Sequence, residues 1–542
     1  SGGVAELLNN RQAPAWRYPM EPRCGCACRH PLRRLLTTDI MKLAQILKNC
    51  SYQKVHGDMD LEVTGMHYDS RQIGAGEAFF ALRGVVSDGH DFITSAIAGG
   101  AVVVFCEELF ERTEQVTAVL VDNARQAMAL AAAEFYGNPT ADMKVVGITG
   151  TNGKTTITYL LEEILAQADL SPAVVGTINY RYGTDLRNAP HTTPEALDLM
   201  KQVRDFHNNG ARSLVMETSS HALQQCRADG VHFDVGVFTN LTPEHLDYHI
   251  DMESYFKSKY HLFKELLPRD NGRAVINIDD SYGQRLAAML PDALTCGRAS
   301  NADIYPESLE ISLQGIRARV STPAGVVDVA SPLLGDYNAE NLLCAIGAAV
   351  ALGLSPQVIA SGLSAATGVP GRLEQVENDR GAVILVDYAH TGDALRRVIE
   401  AMQALAPKRI LTIFGCGGDR DRTKRPIMAE VAARGSNIAI ATSDNPRNED
   451  PAQILNDVRE GLIKVHAREW SKAEAAKGEG RGYVVIEDRR AAIQFAVDLL
   501  QPGDLLLVAG KGHEDYQILK SGRIHFDDRE ELRRALQDGG HQ

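Results

Sequence analysis

Apolar residues in this chain come in short blocks, each followed by a glycine-rich or charged turn and then by a stretch with apolar positions at helical spacing. Val145, Val146 and Ile148 form one such block, and beyond the turn Ile157, Leu160, Leu161, Ile164 and Leu165 fall on one helical face. The same alternation predicts strands at 78–82, 102–105, 213–216, 235–238, 383–386, 410–414, 438–441 and 505–508. It predicts helices at 124–136, 252–263 and 342–352. Strands that alternate with helices build parallel sheets, whose ligands collect beyond the strands' carboxyl ends. A chain of 542 residues is too long for one core. The expected fold is therefore α/β in three domains: a small N-terminal α/β unit over 41–138, a central domain with a mostly parallel sheet over 139–369, and a C-terminal Rossmann-like domain over 370–542. Residues 1–40, rich in proline and arginine with weak periodicity, are expected to be a disordered extension.

The central turn carries the clearest chemistry. Gly150, Thr151, Asn152, Gly153, Lys154, Thr155 and Thr156 join strand to helix. Glycines let backbone N–H groups converge, the helix N-terminus adds partial positive charge, Lys154 reaches terminal phosphates and the Thr155 hydroxyl can hold Mg²⁺. The plain phosphate-loop pattern wants a glycine where Ile148 stands, and a ligand-free connection is the bland alternative. Glu217 follows the strand at 213–216 and is the expected second anchor for Mg²⁺. The strand at 235–238 runs into a segment carrying His245, Asp247 and His249, of which at least one is expected to be a ligand. In the helix after it, composition makes Lys257 and Lys259 surface charges. The polar turns at 68–71 and 82–90 could hold a phosphate or a sugar, although such turns are, on their own terms, more often solvent-facing loops than sites.

In the last domain four blocks end in polar loops that a parallel sheet gathers on one edge. They bring Arg420, Asp444, Asn445, Arg447 and Glu514 within reach of one another. Two guanidiniums and two carboxylates suit a zwitterion, the forked arginines taking carboxylate and the acids taking ammonium. A salt-bridge network at a sheet edge is the alternative. Residues 468–482, rich in Ala, Glu, Lys and Gly, read as an exposed insertion.

Composition narrows the partners. A hydrophobic fraction of 44% and a charged fraction of 23% are those of globular protein, and a net charge of -14 argues against nucleic acid or an anionic membrane surface. No long apolar run spans a bilayer. Nine scattered cysteines imply reduced thiols in a cytoplasmic chain, and Cys24, Cys26 and Cys28 lack a second pair at metal-ligand spacing.

The order of motifs resembles that of the Mur ligases. The segments that carry the likeness are the loop 150–156, Asp69-Ser-Arg71, His191-Thr-Thr-Pro194, 216–223 with Gln225 and Arg227, His245-Leu-Asp-Tyr-His249, 335–343 and Asp444-Asn-Pro-Arg447. The resemblance covers the chain from Met41 onward. It implies an ATP-dependent amide-bond ligase of peptidoglycan precursor synthesis, cytoplasmic and monomeric, using ATP and Mg²⁺. Its small-molecule substrates would be the UDP-N-acetylmuramoyl dipeptide and meso-2,6-diaminopimelate, with no nucleic-acid or membrane partner.

By the same resemblance Lys154, Glu217, His245, Lys259 and Arg372 are catalytic. Thr155, Glu217, His245 and a carbamylated Lys259 hold metal, so that Lys259 leaves the surface reading. Asn338, Asn341, Arg372 and Asp387 join the loop in binding ATP. Ser70, Thr192, Thr193, Ser219, Gln225 and Arg227 bind the UDP-linked muramoyl peptide, and Arg420, Asp444, Asn445, Pro446, Arg447, Gly510 and Glu514 bind diaminopimelate. Rival readings are a related ligase adding L-lysine, a folate polyglutamylating enzyme, and an ATP-switched binding protein without ligase chemistry.

Overall fold

The structure, a computed structural model, describes residues 40–84, 87–111, 115–268, 270, 272–465, 467–477 and 480–538. The extension expected to be disordered, with Cys24, Cys26 and Cys28, lies outside the described residues except for Ile40. Among the described residues Cys50, Cys106, Cys226, Cys296, Cys344 and Cys416 are free and buried. No helix among them is long and apolar enough to cross a membrane.

The first domain is built on a five-stranded sheet in the order Lys54–His56, Thr117–Leu120, Ala101–Cys106, Glu77–Phe80, Met66–His67, parallel except for its first pair. Phe80 stacks on Phe105 across adjacent strands. Helix Ala124–Phe135 closes it, capped by the Asn123 side chain and buried along its alanine face. That face packs into the same apolar cluster as Leu199, Met200, Val203 and Phe206 of helix Ala196–Asn208 and Val145, Leu214 and Met216 of the next sheet. The first two domains thus share one core.

The middle sheet has eight strands in the order Asp185–Asn188, Asn179–Tyr182, Pro172–Val175, Ser213–Glu217, Lys144–Thr149, Val235–Phe238, Arg273–Asn277, Leu294–Cys296. The run from Pro172–Val175 to Leu294–Cys296 is parallel. The strand before the phosphate loop lies between its neighbours Ser213–Glu217 and Val235–Phe238, where the chain changes direction of winding and a crevice opens. Helix Lys154–Gln167 buries Ile157, Leu160, Leu161, Ile164 and Leu165 against Val146 and Ile148 below and Leu342, Ile346, Ile359 and Leu363 beside it. The expected helix at 342–352 begins earlier, as Tyr337–Ala351, because Asn338 and Asn341 form its first turns. Periodicity gave no sign of two antiparallel pieces, the ribbon Asn179–Tyr182 with Asp185–Asn188 and the sheet Tyr305–Ser312, Gly315–Thr322, Gly325–Ser331. Their strands carry charge on open faces and lack the apolar block that marked the others.

The third domain is a seven-stranded sheet in the order Glu374–Gln375, Val383–Asp387, Leu505–Ala509, Ile410–Cys416, Ile438–Ser443, Gly482–Val485, Arg468–Glu469, with only the first pair antiparallel. It has separate apolar clusters on its two faces. The segment 468–482, expected to be an exposed insertion, is exposed along most of its described residues but is tied into the sheet: Arg468–Glu469 is the edge strand, Trp470 is 6% exposed and Ala475 is buried. The charges that made the segment read as solvent-facing surround one large aromatic that packs over Gly482.

Candidate functional site

The phosphate loop takes the shape that its glycines allow. Gly150 and Gly153 have φ of 144° and 90°, and a Cβ on Gly153 would stand 2.2 Å from the Asn341 side-chain oxygen. Asn240, which the sequence reading passed over, fixes the loop by accepting from the Thr151 N–H at 2.9 Å through its carbonyl and from the Asn152 N–H at 2.9 Å through its side chain. Lys154 Nζ donates to the carbonyls of Gly150 and Thr151 at 2.9 and 2.8 Å. Lys259, 1% exposed, donates to the Gly150 carbonyl at 2.8 Å and lies over the Tyr255 ring, while Lys257 is exposed. Among the described residues neither Lys154 nor Lys259 has a carboxylate partner. Burial, reinforced by the nearby Lys154 charge, pushes Lys259 well below the usual lysine range, and burial lowers Lys154 too. Two amines against neutral carbonyls describe a site built for anions, and a depressed amine is one that can be free to react.

Glu217 stands at the end of its strand, 1% exposed. Its oxygens accept from the Thr155 hydroxyl at 3.0 and 3.1 Å, from the Thr177 N–H at 2.9 Å and from the Thr177 hydroxyl at 3.0 Å. A buried carboxylate whose partners are all neutral, beside a hydroxyl, is a hard-oxygen donor set short of a cation, which fits Mg²⁺. His245 opens the short helix Leu246–His249 with φ 56° and meets His221 and Tyr255 edge-on, with ring centroids 4.9 and 6.4 Å away. Tyr255 is thus shared by His245 and Lys259, on one side of the loop. His249 is buried and bonded to Ser220 at 2.9 Å, which makes it structural. Among the described residues no three His, Cys, Asp or Glu surround one metal position.

On the other side of Glu217, Thr193 donates to the Glu217 carbonyl at 2.8 Å and accepts from the Ser219 N–H at 3.2 Å. Thr192 pairs with Thr177 at 3.1 Å. Arg227 donates to the Thr193 carbonyl at 3.0 Å and to the Gln225 side-chain oxygen at 2.7 Å, and it pairs with Glu195. Five of the six expected muramoyl-peptide residues therefore form one patch. Ser70 lies in a turn of the first domain, where its neighbour Tyr68 donates to Asp198 at 2.6 Å. No bond joins Ser70 to the patch among the described residues.

A cavity of about 310 Å³ unites these parts with the third domain. One wall is the phosphate loop with Glu217, Ser219, Asn240 and His245, and the other is Arg372, Asp387, Tyr388 and His390. Arg372 stacks on the Tyr388 ring at 4.7 Å. Asp387 accepts from the N–H groups of Leu373 and Ala389, each at 2.8 Å, so it fixes the arm that carries Arg372. Asn341 donates to Asn338 at 2.7 Å, which in turn donates to the Leu334 carbonyl at 2.7 Å. Tyr388 and His390 line this wall, and the sequence reading assigned them nothing.

The four loops of the last domain share an edge but split between two places, the one after Val383–Asp387 facing the cavity and the others forming a second cluster. At the cluster's centre is Lys511, 0% exposed and absent from the expected set. Its ammonium is 3.1 Å from Asp444 and 3.7 Å from Glu514, and it donates to Asn445 at 3.1 Å and to the Tyr516 carbonyl at 2.7 Å. Lysine inside a glycine-rich loop was the available signal. Asn445 also donates to Glu514 at 3.0 Å. Opposing burial, the Lys511 and Arg489 charges hold Asp444 below the usual carboxylate range, whereas burial and Asp444 raise Glu514. Arg447, at φ 55°, donates to the carbonyls of Gly418 and Asn445 at 2.9 and 3.3 Å, and Arg420 to that of Asp419 at 3.2 Å. Among the described residues neither guanidinium pairs with a carboxylate. Lys511 thus balances one of the two acid charges from within, while the two guanidiniums bond to backbone carbonyls.

Three family models match the chain: "Mur ligase family, catalytic domain" over residues 62–136, "Mur ligase middle domain" over 148–349 and "Mur ligase, glutamate ligase domain" over 371–512. The UDP-N-acetylmuramoyl-L-alanyl-D-glutamate–2,6-diaminopimelate ligase of Geobacter metallireducens is 50% identical over 504 residues, covering 92% of this chain and 99% of that protein. The ligase of the same name from Geobacter sulfurreducens is 50% identical over 498 residues, covering 91% and 98%. A solved structure of a ligase of that name superposes with a TM-score of 0.67 at 32% identity, covering 93% of this chain and 100% of that one. Folylpolyglutamate synthase of Mycobacterium tuberculosis, complexed with ADP and AMPPCP, shares the fold, with a TM-score of 0.56 at 16% identity over 71% of this chain and 92% of its own.

Proposed function

The chain belongs to the Mur ligase family, and from that premise we propose its reaction: the ATP-dependent, ADP-forming addition of meso-2,6-diaminopimelate to UDP-N-acetylmuramoyl-L-alanyl-D-glutamate. It serves peptidoglycan precursor synthesis in the cytoplasm and works as a monomer. Residues 41–138 bind the UDP end, 139–369 bind ATP and 370–542 bind the amino acid. ATP phosphorylates the D-glutamate γ-carboxylate, the diaminopimelate amine attacks the acyl phosphate, and phosphate leaves.

Lys154 and Arg372 face each other across the cavity and neutralise charge on the transferred phosphoryl oxygens. Gly150 to Thr156, Asn338, Asn341 and Asp387 hold the nucleotide. Thr192, Thr193, Ser219, Gln225 and Arg227, with Ser70, hold the muramoyl peptide. Thr155, Glu217, His245 and Lys259 as its carbamate would hold Mg²⁺, which supplies positive charge to phosphate oxygens. Lys259 is suited to carbamylation because its buried amine is depressed towards the neutral form that reacts with CO₂.

The observation that carries the choice of amino acid is the pair of guanidiniums, Arg420 and Arg447, without carboxylate partners beside Asp444, Glu514 and Lys511. Arg447 takes the distal carboxylate that L-lysine lacks, with Asn445, Pro446 and Gly510 shaping the loops. The test is a panel of amino acids offered with ATP and the muramoyl dipeptide nucleotide, scored by product mass and phosphate release. Diaminopimelate should be preferred to L-lysine by on the order of 10⁴-fold, the discrimination of a site built around a missing polar group. Equal use of the two removes Arg447 from its role, and phosphate release indifferent to amino acids favours the ATP-switched binding protein.

A further inference from the structure

The reaction leaves one proton without a destination. An amino acid at neutral pH carries its amine as ammonium, which has no lone pair to attack with, so a proton must leave as the C–N bond forms. Lys154 and Arg372 are cations that stabilise phosphate. Asp444 and Glu514 are bound to Lys511 and favour the ammonium form.

His390 lies on the cavity wall opposite the phosphate loop, in the turn after Val383–Asp387. Its Nδ1 is 2.9 Å from the Tyr388 carbonyl oxygen, which can only accept. A neutral ring therefore keeps its hydrogen on Nδ1 and a lone pair on Nε2, the tautomer that a base requires. The charged groups around it come from several elements. Burial is the chief opposition to its protonation, the bond to the Tyr388 carbonyl favours it, Lys424 from the start of helix Lys424–Gly435 opposes it, Glu244 from the middle domain favours it and Arg372 from the interdomain arm opposes it. His513, across the Tyr388 ring, and Asp444 of the amino-acid cluster lie within its electrostatic reach. The imidazole thus lines the cavity beside the phosphate loop and is coupled electrostatically to Asp444 of the second cluster.

We propose that His390 is the general base of the ligation, its Nε2 taking a proton from the diaminopimelate ammonium as that nitrogen attacks the acyl-phosphate carbonyl. The N–H bond breaks and leaves its pair on nitrogen. That pair forms the C–N bond, and the carbonyl π pair moves to oxygen. On collapse the oxygen's pair re-forms the C=O bond, the C–O bond to phosphate breaks with its pair leaving on phosphate, and phosphate takes the second N–H proton as hydrogen phosphate. The first proton passes from Nε2 to water, which returns the ring to neutral. The proposal rests on the ligase reading given above.

His390→Asn keeps an N–H for the Tyr388 carbonyl and removes the base. The wild type and this variant are compared in three measurements: the burst of ADP without amino acid, amide formation with diaminopimelate across pH, and hydroxamate formation with hydroxylamine, a nucleophile already unprotonated at neutral pH. The expected result is a surviving ADP burst, amide formation down by about 10²–10⁴-fold with the deficit shrinking as pH rises, and hydroxamate formation that keeps pace with the burst. Equal losses with both nucleophiles, a deficit independent of pH, no deficit, or this pattern from His513→Asn instead would overturn the proposal. ADP binding by calorimetry checks folding, and His390→Gln replaces a variant that fails it. Should the wild type prefer another amino acid, the substrate reading fails while the comparison, run with that amino acid, still decides the role of His390.

Discussion

Lys257 and Lys259 are two residues apart in one helix, and composition treats them alike. Helical geometry puts Lys257 in solvent and Lys259 under the phosphate loop. Lys259→Ala should reduce ligation at least 100-fold, and a small added carboxylate such as acetate should restore part of it by supplying the carbamate's oxygens. Titration of the rate with acetate checks this, and no recovery at any concentration counts against the carbamate. Glu514 gives a prediction in pH. Burial and Asp444 raise its pKa above that of an unfolded chain, so the folded protein bears a cost above that pKa that is relieved as the pH falls. For the substrate the sign is reversed, because the ammonium needs the ionised carboxylate. Diaminopimelate binding should weaken as pH falls through a value above the ordinary glutamate range, and Glu514→Gln should bind less and lose that acid dependence. Calorimetric Kd values across pH distinguish the two, and an identical acid limb in the variant removes Glu514 from ammonium binding.

At the scale of elements, the strand–loop–helix at 144–167 was legible because its chemistry is local: an apolar block, glycines where φ is positive, and one apolar helical face. Gly153→Ala should strain the turn by about 1–2 kcal/mol and drive its Cβ into Asn341, weakening ADP binding at least tenfold. Calorimetry on a variant with unchanged melting would show it, and unchanged affinity would mean that the turn tolerates a side chain. The edge strand Arg468–Glu469 was illegible because a charged composition hid one aromatic. Trp470→Ala removes a buried ring over Gly482 and should destabilise the third domain by about 3–5 kcal/mol, read as an earlier urea transition of that domain with nucleotide binding to the middle domain retained. A transition at the wild-type urea concentration would mean that the ring contributes nothing to the stability of that domain.

Across the whole molecule, the first two domains share a core while the third has two clusters of its own, one of which takes in only Leu334 and Tyr337 from the middle domain, and the two parts are joined through an arm where Gly368, Gly371 and Leu373 all have positive φ. A shared core resists relative motion and an arm of this kind permits it. The cavity beside the phosphate loop spans the arm, whereas the cluster around Lys511 does not line it. Closure of the third domain over the second should therefore accompany binding, excluding water from the acyl phosphate. The radius of gyration from solution scattering should fall when an ATP analogue and both substrates are added, and no change would rule closure out. The sequence by itself determined the parallel-sheet architecture, the phosphate loop and the order of motifs, because blocks, turns and spacings are properties of neighbours along the chain. Only the tertiary structure decided that Lys259 is buried, that Lys511 is buried beside Asp444 and Glu514, that the last domain's loops gather in two places, and that His390 faces the cavity. Those four facts depend on residues far apart in sequence being brought together, and burial and charge act through space.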